Sequence, residues 1–201
     1  MAGCRDAQRS AGGDVDRRAM RLIHTLVLFT SLLVAGLGTA TAEPVFPNLV
    51  RVGVVAVAPF ADDVGMREGL AGWAAARLSR LLATAGVRVV PFEQTNSTLF
   101  AMRLLPARLT SPTVVAELGN RLGVDAVITG RLTRADQERG PRGDSDWIPS
   151  EAAVTLDMHV MIIATRERFS TEMVGNAEGP VGLLRATERA LREFVNQWAA
   201  P

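Results

Sequence analysis

The segment of residues 111–132, SPTVVAELGNRLGVDAVITGRL, constrains the fold more than any other stretch of the chain. Ser111 is of a residue type that caps helices, and Pro112 suits the first helical position because that position needs no amide donor. Apolar residues then follow the i, i+3, i+4, i+7 spacing of one buried helical face, namely Val114, Val115, Leu118 and Leu122. Gly123 can take the left-handed conformation that ends a helix, and a short apolar run continues until Gly130. The segment predicts a helix, a glycine turn and a buried strand.

Further strands and helices are predicted on both sides of this unit. Before it we expect a strand at 49–60, a helix at 66–85, a strand at 87–92, and a short helix within 93–105 that turns Phe100 and Leu104 inward. After it we expect an exposed loop at 133–149, a strand at 152–164, a tight turn at 165–168, a partner strand at 169–178 and a last helix.

The strand at 152–164 alternates in polarity, which is typical of an antiparallel strand with one face in water. The expected buried set is Val154, Leu156, Met158, Val160 and Ile162, and the expected wet set is Thr155, Asp157, His159 and Met161. The apolar stripe of the last helix is formed by Leu184, Leu191, Phe194, Val195 and Trp198. The wet side of that helix offers two ion pairs at i, i+4 spacing, Glu188–Arg192 and Arg189–Glu193.

The order of elements, β-α-β-(α)-α-β-β-β-α, predicts a single domain of the α/β (α+β) class. A long helix between the early strands implies a right-handed crossover, so those strands should pair in parallel. The late hairpin adds antiparallel strands. We therefore expect a mixed parallel and antiparallel sheet with helices packed on it, spanning residues 51–199 after a lead-in at 43–50.

The amino-terminal part has the features of a secretory signal. Residues 1–19 form a polar extension, and Met20 is an alternative start of the protein. Residues 20–42 combine a basic flank with an apolar core at 22–37, and Ala40 and Ala42 are the small residues that a signal peptidase needs before Glu43. Cleavage there predicts a periplasmic or secreted protein without a stable membrane span. The alternative is an inner-membrane anchor formed by residues 22–37.

Composition excludes several classes of chemistry. All 22 basic residues are Arg, so no lysine is available for a Schiff base or a phosphate-binding loop. The net charge is +1, and it becomes −1 once residues 1–42 with five Arg and three acids are removed, which gives no electrostatic case for nucleic acid as a partner. Cys4 is the only cysteine, so no internal disulfide can form.

Two acidic constellations are candidates for chemistry. Asp157 and His159 share a strand face, where a carboxylate can orient an imidazole for general-base work or for metal binding; the alternative is a solvated polar pair. Asp62 and Asp63 follow the first strand at its carboxyl end and could hold Mg²⁺; the alternative is a solvated loop with a helix-capping Asp. The sequence contains no phosphate-binding loop, dinucleotide fingerprint or nucleophile elbow, so we predict no catalytic, cofactor or metal residues.

The loop at 133–149 offers a candidate contact surface. An exposed tryptophan can anchor a protein partner, which makes Trp147 and the adjacent Ile148 candidate contact residues. Alternatively, both side chains tuck the loop against the sheet. Gly140 and Gly143 would allow such a loop to move.

Two stretches resemble a known superfamily. VGVVAVAPF followed by a long helix resembles the opening of the TolB amino-terminal domain and of the curli-secretion-channel (CsgG-like) superfamily. The stretch LGNRLGVDAVITGRLTR resembles that superfamily's recurring pattern, here Leu118, Gly119, Leu122, Gly123, Asp125, Ile128 and Gly130. The final hairpin and helix match its layout as well, so the resemblance covers residues 50–199.

The resemblance implies a secreted envelope module that works by contact. Relatives include periplasmic adaptor domains, lipoprotein activators of cell-wall synthases and a secretion pore. This chain has no lipid-anchoring cysteine after its signal and no inserted pair of long alternating segments, so pore formation does not carry over. The Gly and Asp positions of the pattern shape turns, and no catalytic residues carry over.

The leading hypothesis is a non-enzymatic adaptor or accessory domain of the bacterial cell envelope that binds an envelope protein. One alternative is a periplasmic hydrolase or metal-binding protein that uses Asp157 and His159, or Asp62 and Asp63. Another is a structural envelope subunit that forms homo-oligomers through its sheet edge or through the loop carrying Trp147.

Overall fold

One mixed sheet organises the chain, and the computed structural model describes residues 46–65, 69–137, 151–179 and 181–199. The strands are β1 (Val54–Val57), β2 (Ala61–Asp62), β3 (Arg88–Val89), β4 (Ala126–Gln137), β5 (Glu151–Ile162) and β6 (Arg168–Glu178). The helices are α1 (Leu49–Val52), α2 (Leu70–Thr84), α3 (Phe92–Ala101), α4 (Pro112–Leu122) and α5 (Gly182–Ala199), with a 3-10 turn at Pro106–Thr110. All of these elements belong to one compact unit, Phe46–Pro201.

Parallel pairing joins the early strands, and antiparallel pairing joins the late ones. β1 lies between β3 and β4 and is parallel to both. β2 pairs in parallel with a later part of β4, on the same side of β4 as β1. β4, β5 and β6 then pair antiparallel in succession. The sheet order β3-β1-β4-β5-β6 confirms the predicted mixed sheet with helices packed on it.

The central helix, glycine turn and strand form as predicted, with two corrections. Gly123 is left-handed at φ 64° and ends α4, but the Ser111 side chain makes no capping hydrogen bond. The strand does not stop at Gly130 and runs on to Gln137. Gly130 is instead a point of close approach, because a Cβ there would lie 2.8 Å from a ring carbon of Phe60.

The predicted strand at 49–60 is divided into a short helix and a shorter strand, α1 and β1. The Asn48 side chain accepts a hydrogen bond from the Val50 amide at 2.9 Å and caps the short helix α1. Gly53 follows with φ 121°, a conformation that side chains rarely adopt, and turns the backbone into β1. An apolar run alone could not distinguish this capped turn from the strand that follows it.

The predicted inward orientation of Phe100 is wrong. α3 places Thr95 and Leu99 in the interior, four residues apart, so the next residue points outward and Phe100 is 85% exposed. Leu104 is half-buried against the core, as predicted. The helix ends just before Arg103, which adopts a left-handed φ of 54°.

α2 and α5 cover one whole face of the sheet and build the larger core. Its fully buried side chains include Leu78, Leu82, Ile128, Leu132, Leu156, Met158, Phe194 and Trp198. Trp198 stacks on Phe194 with ring centroids 5.3 Å apart and lies 4.6 Å from the ring of Phe46. Leu184 was predicted in this stripe but is 42% exposed, because Leu183 begins the buried stripe of α5 instead.

α3, the 3-10 turn and α4 cover only part of the opposite face. Their smaller core joins Leu99, Leu109 and Leu118 from the helical layer to Ala56, Val127 and Met161 from the sheet. Met161 was predicted to face water, but it is 2% exposed because this layer covers the end of β5.

The backbones of α5 and β6 touch at Gly175. A Cβ at this position would overlap the Ala186 carbonyl oxygen and lie 2.7 Å from the carbonyl carbon. A flexible side chain could move away from such a contact, but a helix backbone cannot. Gly175 therefore sets how closely α5 packs on the sheet.

We expect Gly175→Ala to destabilise the protein by about 1–3 kcal/mol, because the extra methyl forces α5 away from β6. Gly72→Ala in α2 is the matched control, since nothing lies within 4 Å of its added methyl. Removing a glycine from a helix interior should stabilise by about 0.5–1 kcal/mol. Chemical denaturation measures both changes, and an equal response of the two variants would contradict the close packing at Gly175.

A bidentate ion pair joins α2 to α5. Arg77 donates to both oxygens of Glu188, at 2.9 and 2.6 Å, and Arg192 donates to Glu188 as well. The hydrogen bonds from Arg77 lower the pKa of Glu188 from 4.5 to about 2, with burial opposing the shift. Glu188–Arg192 was predicted, whereas Arg189 donates to the carbonyl oxygen of Asn176 rather than to Glu193.

A lowered carboxylate pKa stabilises the fold above pH 4.5, and the contribution is lost as pH falls toward 2. At pH 7 we expect Glu188→Gln to cost about 1–2 kcal/mol, below the usual range for a bond to a charged group because the side chain remains 24% exposed. Glu117→Gln, which breaks an exposed pair with Arg121, should cost less than about 0.5 kcal/mol. Denaturation curves between pH 7 and pH 2 test this, and a Glu188→Gln effect that does not shrink on acidification would refute it.

Candidate functional site on the open face of the sheet

Half of one sheet face has no helical cover in the described part of the chain. The smaller helical layer lies over β1, the start of β4 and the end of β5. Beyond it, the side chains on the same face are half-buried or exposed. We call this surface the open face, and its residues are Arg131, Arg134, Asp136, Glu151, Ala153, Thr155, Asp157, His159, Ser170, Glu172, Val174, Asn176 and Glu178.

The strand register arranges the open face in rows that cross β4, β5 and β6. His159 lies opposite Ser170, and the next row runs through Arg131, Asp157 and Glu172. A register shift between Leu132 and Arg134 marks a bulge in β4. The apolar Val174, which is 54% exposed, faces Thr155 beyond the charged row. The open face thus combines hydrogen-bonding rows with one apolar spot.

His159 contacts a residue that sequence reasoning missed. Its Nδ1 lies 2.8 Å from Oγ of Ser170 across the β5–β6 pair. Asp157 acts on the ring by charge, and Ser170 by hydrogen bonding. In a Ser-His-Asp triad the carboxylate hydrogen-bonds the histidine and orients it, so this arrangement differs from a triad although it contains the three residue types.

Burial is the largest cause that lowers the pKa of His159 below 6.5. The positive charge of Arg168 lowers it further, Asp157 opposes the shift, and Arg131 adds a smaller lowering. Because the fold disfavours the imidazolium, His159 is neutral at pH 7. A neutral ring can either accept or donate in its hydrogen bond with Ser170.

Asp62 and Asp63 have structural partners. Asp62 accepts hydrogen bonds from the Val64 and Gly65 amides, both at 3.0 Å, so it shapes the loop after β2. Asp63 forms an ion pair with Arg131 at 2.9 Å. Arg131 therefore links Asp63 to the row that contains Asp157. Within the described ranges, no group of three His, Cys, Asp or Glu residues is placed to hold a metal ion.

Several predicted residues lie outside the described part of the chain. They are the contact residues Trp147 and Ile148, the cleavage-site residues Ala40, Ala42 and Glu43, and the apolar segment 22–37. These assignments remain predictions. Among the helices that the structure describes, none combines the length and apolar character needed to cross a membrane.

We expect the pKa of His159, measured by NMR of its imidazole protons, to lie below 6.5. Arg168→Gln should raise this pKa, and Asp157→Asn should lower it further, because the two charges act in opposite directions. Stability should fall as pH drops below 6.5, since the unfolded chain then binds a proton that the folded chain rejects. The imidazole signals of the only other histidine, His24, are identified by their loss in the His24→Gln variant. Shifts of the same sign in both charge variants would contradict this electrostatic description.

Known proteins resemble this chain in structure and not in sequence. No protein-family model matches it, and no curated protein matches it. Lipoprotein GNA1162 from Neisseria meningitidis superposes with a TM-score of 0.53 at 15% identity, covering 74% of this chain and 99% of that one. The PelC dodecamer from Paraburkholderia phytofirmans gives 0.52 at 14% identity, covering 78% and 94%. The hypothetical protein CT253 from Chlamydia trachomatis gives 0.52 at 13% identity, covering 74% and 98%.

At these identities the likeness concerns the fold alone. Membership of the TolB or curli-secretion-channel groups is not shown by these structures and remains a prediction. The chain shares its fold with lipoprotein GNA1162 and with the PelC subunit.

Proposed function

We propose that this chain is a non-enzymatic interaction domain of the bacterial cell envelope, secreted or periplasmic, that acts as an adaptor or accessory protein. The observation that carries the proposal is the open face. The five described helices cover the rest of the sheet. They leave rows of polar side chains and Val174 exposed on half of one face. Such a surface is suited to contact with another protein.

The chemistry of the open face indicates a protein partner. Interfaces place apolar contacts beside hydrogen-bonding and charged groups, and here Val174, Ala153 and Thr155 lie beside the row of Arg131, Asp157 and Glu172. Charges of both signs along one row favour a partner of matching pattern over a uniformly charged polymer. The near-neutral composition supports the same preference.

The envelope location is supported by the amino-terminal sequence and by the fold. Residues 20–42 have the layout of a secretory signal with cleavage before Glu43. The similar structures include a lipoprotein of Neisseria meningitidis. The resemblance of residues 50–199 to contact modules of the TolB and curli-secretion-channel groups agrees with an adaptor role.

A hydrolase is the second candidate because His159 and Ser170 are hydrogen-bonded at 2.8 Å. Activation of a serine requires a base within this distance. However, the pair lies on a sheet surface, and the hydrogen bonds of His159 do not orient it toward Asp157. If His159→Ala and Ser170→Ala each abolish the cellular function while the folded variants still capture the same partner protein, the hydrolase replaces the adaptor as the better proposal.

Self-association is compatible with the adaptor role. PelC from Paraburkholderia phytofirmans is a dodecamer, so a protein of similar fold assembles from many copies. An assembly of this chain could display several open faces to one partner. Capture of nothing except further copies of the chain would favour a structural subunit over an adaptor.

The test is site-specific photo-crosslinking in the native host. A photoreactive amino acid replaces Thr155, at the centre of the open face, in the tagged full-length chain. The matched control carries the same amino acid at Asn196, on the exposed side of α5. We expect one dominant envelope protein to be captured from position 155 and not from position 196.

A second variant shows whether the captured protein recognises the open face. Asp157→Arg reverses the central charge of the row and should reduce capture from position 155 by about tenfold or more, the scale of a disrupted charge contact. Equal capture from positions 155 and 196, or capture unaffected by Asp157→Arg, would contradict the proposed role of the open face.

A further inference from the structure

β6 is an edge strand of eleven residues. It pairs with β5 on one side, and none of the described strands lies on its other side. α5 covers one of its faces, and the open face is the other. An edge of this length presents a row of backbone donors and acceptors that can pair with another extended chain.

The hairpin fixes which backbone groups point outward. The Ile162 amide donates to the Glu167 carbonyl at 3.0 Å, which makes these two residues a hydrogen-bonded pair. Hydrogen-bonded and non-bonded pairs alternate along an antiparallel ladder. The backbone groups of the even-numbered residues from Arg168 to Glu178 therefore point to the free edge. Their side chains lie on the sheet face that includes the open face, and at its covered end the Arg168 guanidinium donates to the Thr110 carbonyl at 3.1 Å.

Arg189 of α5 occupies one of the backbone acceptors on this edge. Its guanidinium donates to the carbonyl oxygen of Asn176 at 2.6 Å. Asn176 is one of the even-numbered residues, so the bond occupies an acceptor that β5 leaves unused. Arg189 is exposed, and its guanidinium can exchange this carbonyl for water, so the block is removable.

We propose that two copies of this chain pair through β6, antiparallel about a twofold axis at Met173, once Arg189 releases Asn176. The outward backbone groups then face each other in hydrogen-bonded pairs: Arg168 with Glu178, Ser170 with Asn176, and Glu172 with Val174. The Ser170 amide of the second copy takes the carbonyl that Arg189 held. The two sheets become one, and the two open faces become continuous.

Charge complementarity selects this register. Glu178 lies opposite Glu151 on β5, an arrangement of like charges that is unfavourable in a single copy. Pairing about Met173 brings Arg168 of the second copy to the other side of Glu178 and offsets this repulsion. A shift of two residues in one direction sets Glu172 against Glu172 of the second copy, and a shift in the other direction removes the Arg168–Glu178 pair.

This inference goes beyond the adaptor role, because the edge and the centre of the open face are separate surfaces. A copy paired through β6 still exposes Thr155, which faces Val174 one strand inward from the edge. Capture of a foreign protein from position 155 and pairing of β6 can therefore fail independently.

The register is tested with single cysteines. Two differently tagged full-length copies, both with Cys4→Ser, are co-expressed, one carrying Ser170→Cys and the other Asn176→Cys, and are treated with a mild oxidant. Facing residues have Cα atoms about 5.5 Å apart, within disulfide reach. We expect a crosslinked pair that contains both tags.

Each cysteine alone provides the matched control. Ser170 and Ser170 of the second copy lie six residues apart along the pair, about 20 Å at 3.4 Å per residue, and the same holds for Asn176. Neither variant should crosslink to itself. Absence of the mixed product, or equal crosslinking of each variant with itself, would overturn the proposed pairing.

Arg189→Met tests whether the Arg189 hydrogen bond opposes pairing, because the variant keeps the aliphatic stem and removes the donor. We expect about a thirtyfold increase in the association constant, since two hydrogen bonds, one per copy, no longer have to be broken. Arg185→Met, an exposed change on the same helix with the same loss of charge, should leave it unchanged. Equal effects of the two variants, or no effect of Arg189→Met, would show that the Arg189 hydrogen bond does not oppose pairing.

The charge pair is tested by reversal and rescue. Arg168→Glu sets like charges against Glu178 and should reduce the mixed disulfide. Adding Glu178→Arg restores opposite charges and should recover it. A double variant that crosslinks no better than Arg168→Glu would contradict the register.

Discussion

Asp125 holds three strands in register, and the rest of the sheet depends on it. Its carboxylate accepts the Val54 amide at 2.8 Å, and its own amide donates to the Val54 carbonyl at 2.8 Å. Its carbonyl accepts the Ile163 amide at 2.9 Å. One residue thus ties the starts of β1 and β4 to the end of β5. Gly53 must be glycine here, because a Cβ would overlap the Asp125 carboxylate. The Asp of the recurring sequence pattern is therefore an architectural residue.

With these strand ends fixed, the length of the helical layers decides where the surface remains open. α4 packs closely at the Asp125 end, where a Cβ on Gly119 would collide with the Ile163 side chain. β5 and β6 are both much longer than the segment that this layer covers. Among the described residues, no helix covers the far halves of these strands on this face, because the helices that pack there are shorter than the strands. The candidate site is the part of this sheet face that the described helices of the smaller layer leave exposed.

The sequence predicts the elements whose signals are local. Pro112, Gly123 and the spacing of the α4 side chains suffice for the central unit, and strict alternation suffices for β5. The missed features depend on contacts distant in sequence. Gly130 looks like a strand end until Phe60 is placed against it. A turn at 165–168 would set His159 opposite Val174, whereas Arg166 is left-handed and the turn closes between Ile162 and Glu167, which brings Ser170 to His159.

The backbone contact between Gly175 and Ala186 has a mechanical consequence. No side chain separates β6 from α5 at this point, so the two backbones are in direct contact there and cannot move closer together. A pull on the outer strand is passed directly to the helix, and through the bidentate bond of Glu188 with Arg77 to α2. The edge strand and the two large helices are therefore mechanically coupled through this contact and this ion pair.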